Sequence, residues 1–345
     1  MVKNNNQILK RIIYRVNLFC GLLVACGIFV LLSFNGYFDK GNTEFKTNAS
    51  SLFYMNYDVS SLDDSKKNLE IKYGFELFQS TPNYIGPNNG TQDMAYSGNN
   101  LSCNNCHLFN GTKPYSAPLI GIIKRFPQYR GREDKMGTIE ERINGCMERS
   151  MNGRVLPVEG KEMKALISYL DWISRYAPGD GKIEGMGFVK VEIPNRAVNL
   201  ENGKRTFTTK CFVCHGAEGQ GLKYPNSNVY QYPPLWGEDS FNNGAGMTRV
   251  ITAAQFIKAN MPYGATYDFP ILTDEEAYDV AGYINQQKRP VKNNLEIDFP
   301  NLKRKPVSTP YPPYLDEFSM EQHQLGPFQP IMAYYKKEFD IVKKK

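Results

Sequence analysis

Two pentapeptides constrain what this chain can fold into: Cys103-Asn104-Asn105-Cys106-His107 and Cys211-Phe212-Val213-Cys214-His215. Each is C-x-x-C-H, the attachment signature of a c-type haem. Two thiols three residues apart add to the two vinyl groups of one porphyrin, and the histidine that follows binds the iron from one face. A redox pair or half of a zinc site explains a lone C-x-x-C, but not a histidine at the fifth position, twice. The motifs take four of the seven cysteines and two of the three histidines. The chain therefore reads as carrying two covalently bound haem c groups, held by Cys103, Cys106, Cys211 and Cys214, with His107 and His215 as iron ligands. Small loop-rich shells suit such groups, because the porphyrin supplies much of the core. The 22 Tyr and 21 Pro fit that expectation.

The net charge of +6 is partly local. Lys3, Lys10, Arg11 and Arg15 stand before residue 36 without an acid, and the remainder balances 37 basic against 35 acidic residues. No nucleic-acid footprint is present. Residues 16–34 carry no charge, a run that just spans a bilayer as a helix. The basic residues all precede it, so the N-terminus should stay cytoplasmic and the body should be exported. Residues 1–35 are read as a signal anchor in the inner membrane that leaves the body on the periplasmic side. A cleaved signal peptide, or lipidation at Cys26 after Leu23-Val24-Ala25, are the alternatives. Residues 36–65, rich in Asn, Ser, Asp and Thr, read as a polar linker.

A pattern then occurs twice. A helix over Lys67–Ser80 with Gly74 and Phe78 precedes the first haem motif, and one over Ala197–Lys210 with Gly203 and Phe207 precedes the second. The shared G-x-x-x-F spacing suggests a small residue at a close helix crossing. Amphipathic helices close each half, at Lys161–Arg175 and at Asp274–Gln287. The second opens with a Thr273-x-x-Glu276 capping box. This order resembles class I cytochrome c. The expected fold is mainly α, with two tandem domains of that kind at 66–180 and 181–290. A C-terminal extension at 291–345 is expected to lie over them as an extended strap. Its prolines should prevent a long helix until about the last fifteen residues. His323, inside it, reads as a surface or hydrogen-bonded histidine.

Each iron has one more axial position. For the second haem Met261, just before Pro262, is the first candidate, and Met247 in a glycine-rich loop is the runner-up. For the first, the available methionines are Met136, Met147 and Met151. Cys146 stands at the place equivalent to Met261, and it is the only cysteine outside the haem motifs and the membrane segment. It is either a small buried residue or an iron ligand. As a ligand, its thiolate would lower the potential of the first haem, while methionine would raise that of the second. A thiolate is also a nucleophile, which a pure electron carrier does not need. Arg132, Arg142, Arg149 and Arg154 surround it in the sequence. They form either an oxyanion site for a small dianion or a solvated face paired with Glu140, Glu141 and Glu148.

The string Arg142-Ile143-Asn144-Gly145-Cys146-Met147-Glu148-Arg149-Ser150-Met151-Asn152-Gly153, between two C-x-x-C-H motifs, resembles the dihaem thiosulfate dehydrogenase family, which includes a tetrathionate-reducing branch. Lys303-Arg304-Lys305-Pro306 and Gln324-Leu325-Gly326-Pro327-Phe328 resemble its C-terminal segment, so the likeness covers roughly 66–332. The resemblance implies His107 and Cys146 as ligands of the active-site haem, His215 and Met261 as ligands of the relay haem, and Arg132, Arg142 and Ser150 around the substrate. It implies an enzyme interconverting two thiosulfates and tetrathionate, with two electrons passing through the second haem to or from a small soluble or membrane cytochrome. Asn260 stands where some members have a ligand-switching lysine, so plain His/Met ligation is expected, as in the reducing branch. The membrane segment departs from the soluble members. Two other readings are a non-catalytic membrane-tethered dihaem electron shuttle and an oxidase that joins thiosulfate to a carrier protein's cysteine.

Overall fold

The computed structural model describes residues 13–24, 26–27 and 49–344. The chain divides into two compact units, Met1–Asn48 and Ala49–Lys345. Among the described residues no helix is long and apolar enough to cross a membrane. The uncharged run 16–34 lies partly outside them, at 25 and 28–34, as does most of the expected linker. Residues 49–61 of that linker are ordered as two short 3₁₀ turns, Ala49–Tyr54 and Val59–Ser61. Leu52 and Phe53 are buried there against Ile120, Ala177 and Ile183, so an apolar pair hidden in a polar stretch shortens the tether.

The second unit is mainly helical and has two large apolar cores. In the first, α1 (Lys66–Gln79) and α3 (Lys161–Ile173) cross, with α2 (Ile139–Arg149) between them in sequence. In the second, α4 (Leu200–Lys210) crosses α6 (Asp274–Asn285), and α5 (Val250–Asn260) lies against α6. Ser65, Asn199 and Thr273 cap their helices through side-chain oxygens that accept backbone N–H groups. Thr273 and Glu276 form the expected capping box. Thr138 and Glu141 form another at the start of α2. Asn199 as cap moves the start of α4 three residues later than the apolar pattern suggested.

The repeated glycine has the same reason twice. A Cβ on Gly74 would lie 1.9 Å from the Ala165 carbonyl oxygen, and one on Gly203 would lie 2.2 Å from the Asp279 oxygen. Both crossings bring backbone to backbone, which only glycine allows. The phenylalanine one turn on then fills the core beside the haem motif. Phe78 stands 5.5 Å from the Tyr169 ring and 6.3 Å from His107, and Phe207 stands 4.9 Å from Trp236. Each such buried side chain contributes about 1.5–3 kcal/mol. Gly74→Ala is therefore expected to force the helices apart at a cost of about 1–3 kcal/mol. Thermal unfolding would show it, and an unchanged midpoint would refute the contact.

Two short hairpins not expected from the sequence complete the unit. One pairs β1 (Gln128–Arg130) with β2 (Lys135–Gly137), and the other pairs β3 (Leu222–Lys223) with β4 (Tyr230–Tyr232). The C-terminal segment is less extended than its prolines imply. It contains α7 (Met320–Leu325) and α8 (Gln329–Phe339). Pro330 sits in the first turn of α8, where its missing N–H costs nothing. Leu325, Phe328, Ile331 and Tyr335 enter the second core. His323 is buried rather than on the surface, with Nδ1 2.6 Å from the Val307 oxygen, Nε2 2.9 Å from Asp316 Oδ1, and its ring on Tyr314.

Candidate active site

The first haem motif opens as a tight 3₁₀ turn, Cys103–Asn105, after Ser102. His107 follows, with Nδ1 2.7 Å from the Ala117 carbonyl oxygen. A carbonyl only accepts, so Nδ1 carries the proton and Nε2 is left for a metal. The second motif repeats the device: His215 Nδ1 lies 2.8 Å from the Pro233 oxygen. Burial pushes the Cys103 thiol up to about 12, and Cys106 and Cys211 up to about 11.

Cys146 is different. It lies on α2, where Arg142, Cys146 and Ser150 follow one another at intervals of four residues and so share one face. Arg142 Nη1 is 2.8 Å from Cys146 Sγ, and the His107 ring faces the same sulfur. Burial raises the thiol, but Arg142 and His107 outweigh it and bring it down to about 6. Met147 and Met151, the neighbouring alternatives, are buried in the first core, and Met136 is exposed. The structure thus turns the cysteine, and neither core methionine, toward His107. An imidazole nitrogen and a low-pKa sulfur facing each other beside two attachment thiols fit a haem iron.

A cavity of about 720 Å³ stands at the second motif, within the roughly 300–1,000 Å³ usual for ligand pockets. Cys211, Cys214, His215, Met247 and Met261 line it, so it offers both thiols, an imidazole and two thioethers. Cys106 and Phe109 of the first half reach the same cavity. Asn260, beside Met261, is buried and donates to the Phe256 and Tyr115 oxygens at 2.9 and 3.2 Å. Met261 and Met247 both line the cavity and either could offer its thioether to a group held there. Met261→Gly is then expected to abolish the near-infrared methionine-to-iron absorption, while its persistence would assign Met247.

The arginines separate into groups. Arg132, in the β1–β2 turn, is ion-paired with Asp298 Oδ2, and its Nη1 donates to the Tyr311 hydroxyl at 2.9 Å. Arg149 is buried, with Nη2 2.6 Å from Asp298 Oδ1. Arg154 stacks on Tyr96 at 4.3 Å and donates to the Ala95 and Asp93 carbonyls, away from the sulfur. Ser150 is the C-cap of α2; its carbonyl oxygen accepts from Asn99 Nδ2 at 2.9 Å. Glu140 and Glu148 show no close pairing with Arg142, and Glu141 takes Lys135.

Several contributors were missed in the sequence. Asp298 joins two arginines, Tyr311 bridges to it at 2.8 Å, and Lys305 is desolvated beside them, its ammonium lowered to about 8 chiefly by burial. Lys305 stood within the recognised Lys303–Pro306 string, and Asp298 lay just before it. Arg249 stands two residues beyond Met247, where the sequence offers no local pattern that marks an arginine as a site residue.

Residues 200–288 match the family described as Cytochrome c, and residues 93–178 match the one described as SoxA/TsdA, cytochrome c domain. The chain is 41% identical over 244 residues to a protein named thiosulfate dehydrogenase from Psychrobacter arcticus, covering 71% of each. It is 40% identical over 231 residues to one of the same name from Thiomonas intermedia, covering 67% of this chain and 69% of that one. Among solved structures it resembles the thiosulfate dehydrogenase TsdBA from Marichromatium purpuratum, with a TM-score of 0.61 and 36% identity. That match covers 68% of this chain and 49% of the other, so the chain spans about half the length of that protein. With two matched cytochrome c domains, each bearing a complete C-x-x-C-H motif, the chain belongs to the thiosulfate dehydrogenase family, as an oxidoreductase with two covalently bound c-type haems.

Proposed function

We propose that the chain joins two thiosulfates through their sulfane sulfurs to give tetrathionate, and runs the reverse reaction, at the Cys146 side of the first haem. The observation that carries this reading is the Arg142–Cys146 contact of 2.8 Å on the sulfur that also faces His107. Arg142 does two things there. It favours the thiolate over the thiol, and it offsets the charge of an approaching dianion. Cys146 Sγ bonds to the sulfane sulfur of one thiosulfate, giving a cysteine S-thiosulfonate as two electrons leave. The sulfane sulfur of a second thiosulfate then attacks the sulfane sulfur of that adduct. The new sulfur–sulfur bond forms as the bond to Cys146 breaks, and the thiolate returns. Haems held by Cys103, Cys106 and His107 and by Cys211, Cys214 and His215 would, when bound, supply the acceptor for the two electrons. Ser150, one turn beyond Cys146 on the same helix, is the residue proposed to orient a sulfonate oxygen. Arg132, held by Asp298 and Tyr311, borders the site as a fixed cation.

His215 and Met261 at the second cavity support its role as the electron exit. Its rim, where Phe212 and Val213 are exposed and Tyr263 is 83% exposed, supports docking of a small cytochrome. The body is proposed to work on the periplasmic side of the cytoplasmic membrane, with residues 16–34 as its anchor. A steady-state assay tests the whole reading. Thiosulfate with an oxidant and tetrathionate with a reductant should both turn over, and absence of turnover in both directions would leave an electron shuttle. Arg142→Gln removes the guanidinium that stabilises the thiolate and is expected to lower kcat about ten- to a hundredfold. Single-turnover kinetics would show the chemical step unchanged if Arg142 were only a helix-face residue.

A further inference from the structure

The guanidinium edges around Cys146 are mostly occupied. Arg130 Nη2 takes Glu133 at 2.8 Å, Arg132 Nη1 takes Asp298 and Tyr311, and Arg149 uses Nη1 on the Gly145 oxygen and Nη2 on Asp298. Arg142 Nη1 takes the Cys146 sulfur, and Arg125 Nη1 takes Met186 Sδ at 3.4 Å. Two thiosulfates bring two sulfonates, and tetrathionate has one at each end. None of these arginines keeps its paired Nη edge whole for the second sulfonate.

Arg249 does. It is the N-cap of α5 and half-buried. Its one side-chain hydrogen bond among the described residues runs from Nε to the Gly246 oxygen at 3.2 Å, which folds the side chain over that glycine. A Cβ on Gly246 would sit 3.1 Å from Nη2, so the missing side chain keeps this edge uncovered. Among the described residues, the charged and titratable groups that act on Arg249 are Arg132, Tyr311 and Arg142, and no carboxylate is among them. The segment leading to it is clamped onto the Cys146 helix. Asn242 donates from its backbone N–H to the Arg149 oxygen at 3.2 Å, and from Nδ2 to the Glu148 oxygen at 2.8 Å and Asn152 Oδ1 at 3.0 Å. A residue encoded in the second haem half is thereby brought to the arginines of the first.

We infer that Arg249 binds the second sulfonate: that of the incoming thiosulfate in one direction, and the far end of tetrathionate in the other. The inference rests on the thiosulfate–tetrathionate reading of the site. The planar fork of an arginine matches two oxygens of a sulfonate, and the absence of an acidic partner leaves its charge for the substrate. The substrate pocket is then composite, and neither haem half contains it alone.

The test uses the full-length, haem-loaded protein and its variants Arg249→Gln, Arg249→Met and Arg249→Lys. Thiosulfate oxidation and tetrathionate reduction are measured at steady state. Gln and Met are expected to raise KM for both substrates about ten- to a hundredfold with a smaller change in kcat, because binding is lost more than chemistry. Lys keeps the charge without the fork and should fall between them and the parent protein. Arg154→Gln, at the exposed stack on Tyr96, should leave KM unchanged. KM within about twofold of the parent protein in both Gln and Met overturns the inference. So does a rise matched by lost haem absorbance in both and not relieved by Lys, which would assign Arg249 a structural role. A parent protein with no turnover in either direction would instead sink the reading on which the inference rests.

Discussion

Cys146→Gly protein is expected to carry both haems and to turn over thiosulfate slower by at least on the order of 10³-fold, the scale of losing a covalent nucleophile. The two effects separate because the attachment groups are separate. Cys103, Cys106 and His107 lie on their own turn, and the His107 ring is fixed by Ala117 without help from Cys146. What is lost is a thiol at about 6 held between Arg142 and His107. No nearby sulfur can replace it, since Cys103 and Cys106 are tied up as thioethers once the haem is attached, and Met147 and Met151 point into the core. Glycine in the middle of α2 adds a helix penalty of about 1 kcal/mol, so Cys146→Ala serves as the companion with the same chemical deletion and better helix propensity. Haem content by absorbance and turnover in both directions are the measurements. Turnover at the parent rate in both variants would return the protein to a simple shuttle.

Asp298→Asn is expected to lower stability by about 3–5 kcal/mol, on the order of 10 °C in Tm for a unit of this size. Asp298 is 3% exposed and is a carboxylate shared by Arg132 and buried Arg149. Removing its charge leaves a buried guanidinium uncompensated, which costs more than the pair contributed. The sign of the pH dependence follows from its pKa. Burial alone would raise it, but Arg132, Arg149 and the Tyr311 hydroxyl bring it below the usual carboxylate range. A depressed folded value means the stabilisation is complete above the unfolded value of about 3.9 and is lost as pH falls through the lower folded one. The gap between parent and Asn protein should therefore be full at neutral pH and close in acid below about pH 4. Equal melting temperatures at neutral pH, or a gap that persists in acid, would contradict the network.

Much of the framework could be read locally. The motifs at 103–107 and 211–215, the glycine–phenylalanine helices, the closing helices and the Thr273 cap all depend on residues within about one or two turns of each other. The α2 face was also implicit, since Arg142, Cys146 and Ser150 stand four apart. The hairpins were missed because three-residue strands have too little alternation to recognise. The surplus of arginine around Cys146 was visible, but its division was not. Arg154 is spent on carbonyls and an aromatic ring, while Arg132 and Arg149 are drawn to a carboxylate far along the chain.

The sequence by itself determined that two haems are attached, where, and that one half holds a spare cysteine outside its attachment motif. These follow from covalent chemistry and helix periodicity, which act over a few residues. Only the tertiary structure decided which cations face that sulfur. Asp298 lies 166 residues from Arg132 and 149 from Arg149, and Arg249 reaches the site on a loop from the other half. Charges interact through space, and packing alone decides which of them meet.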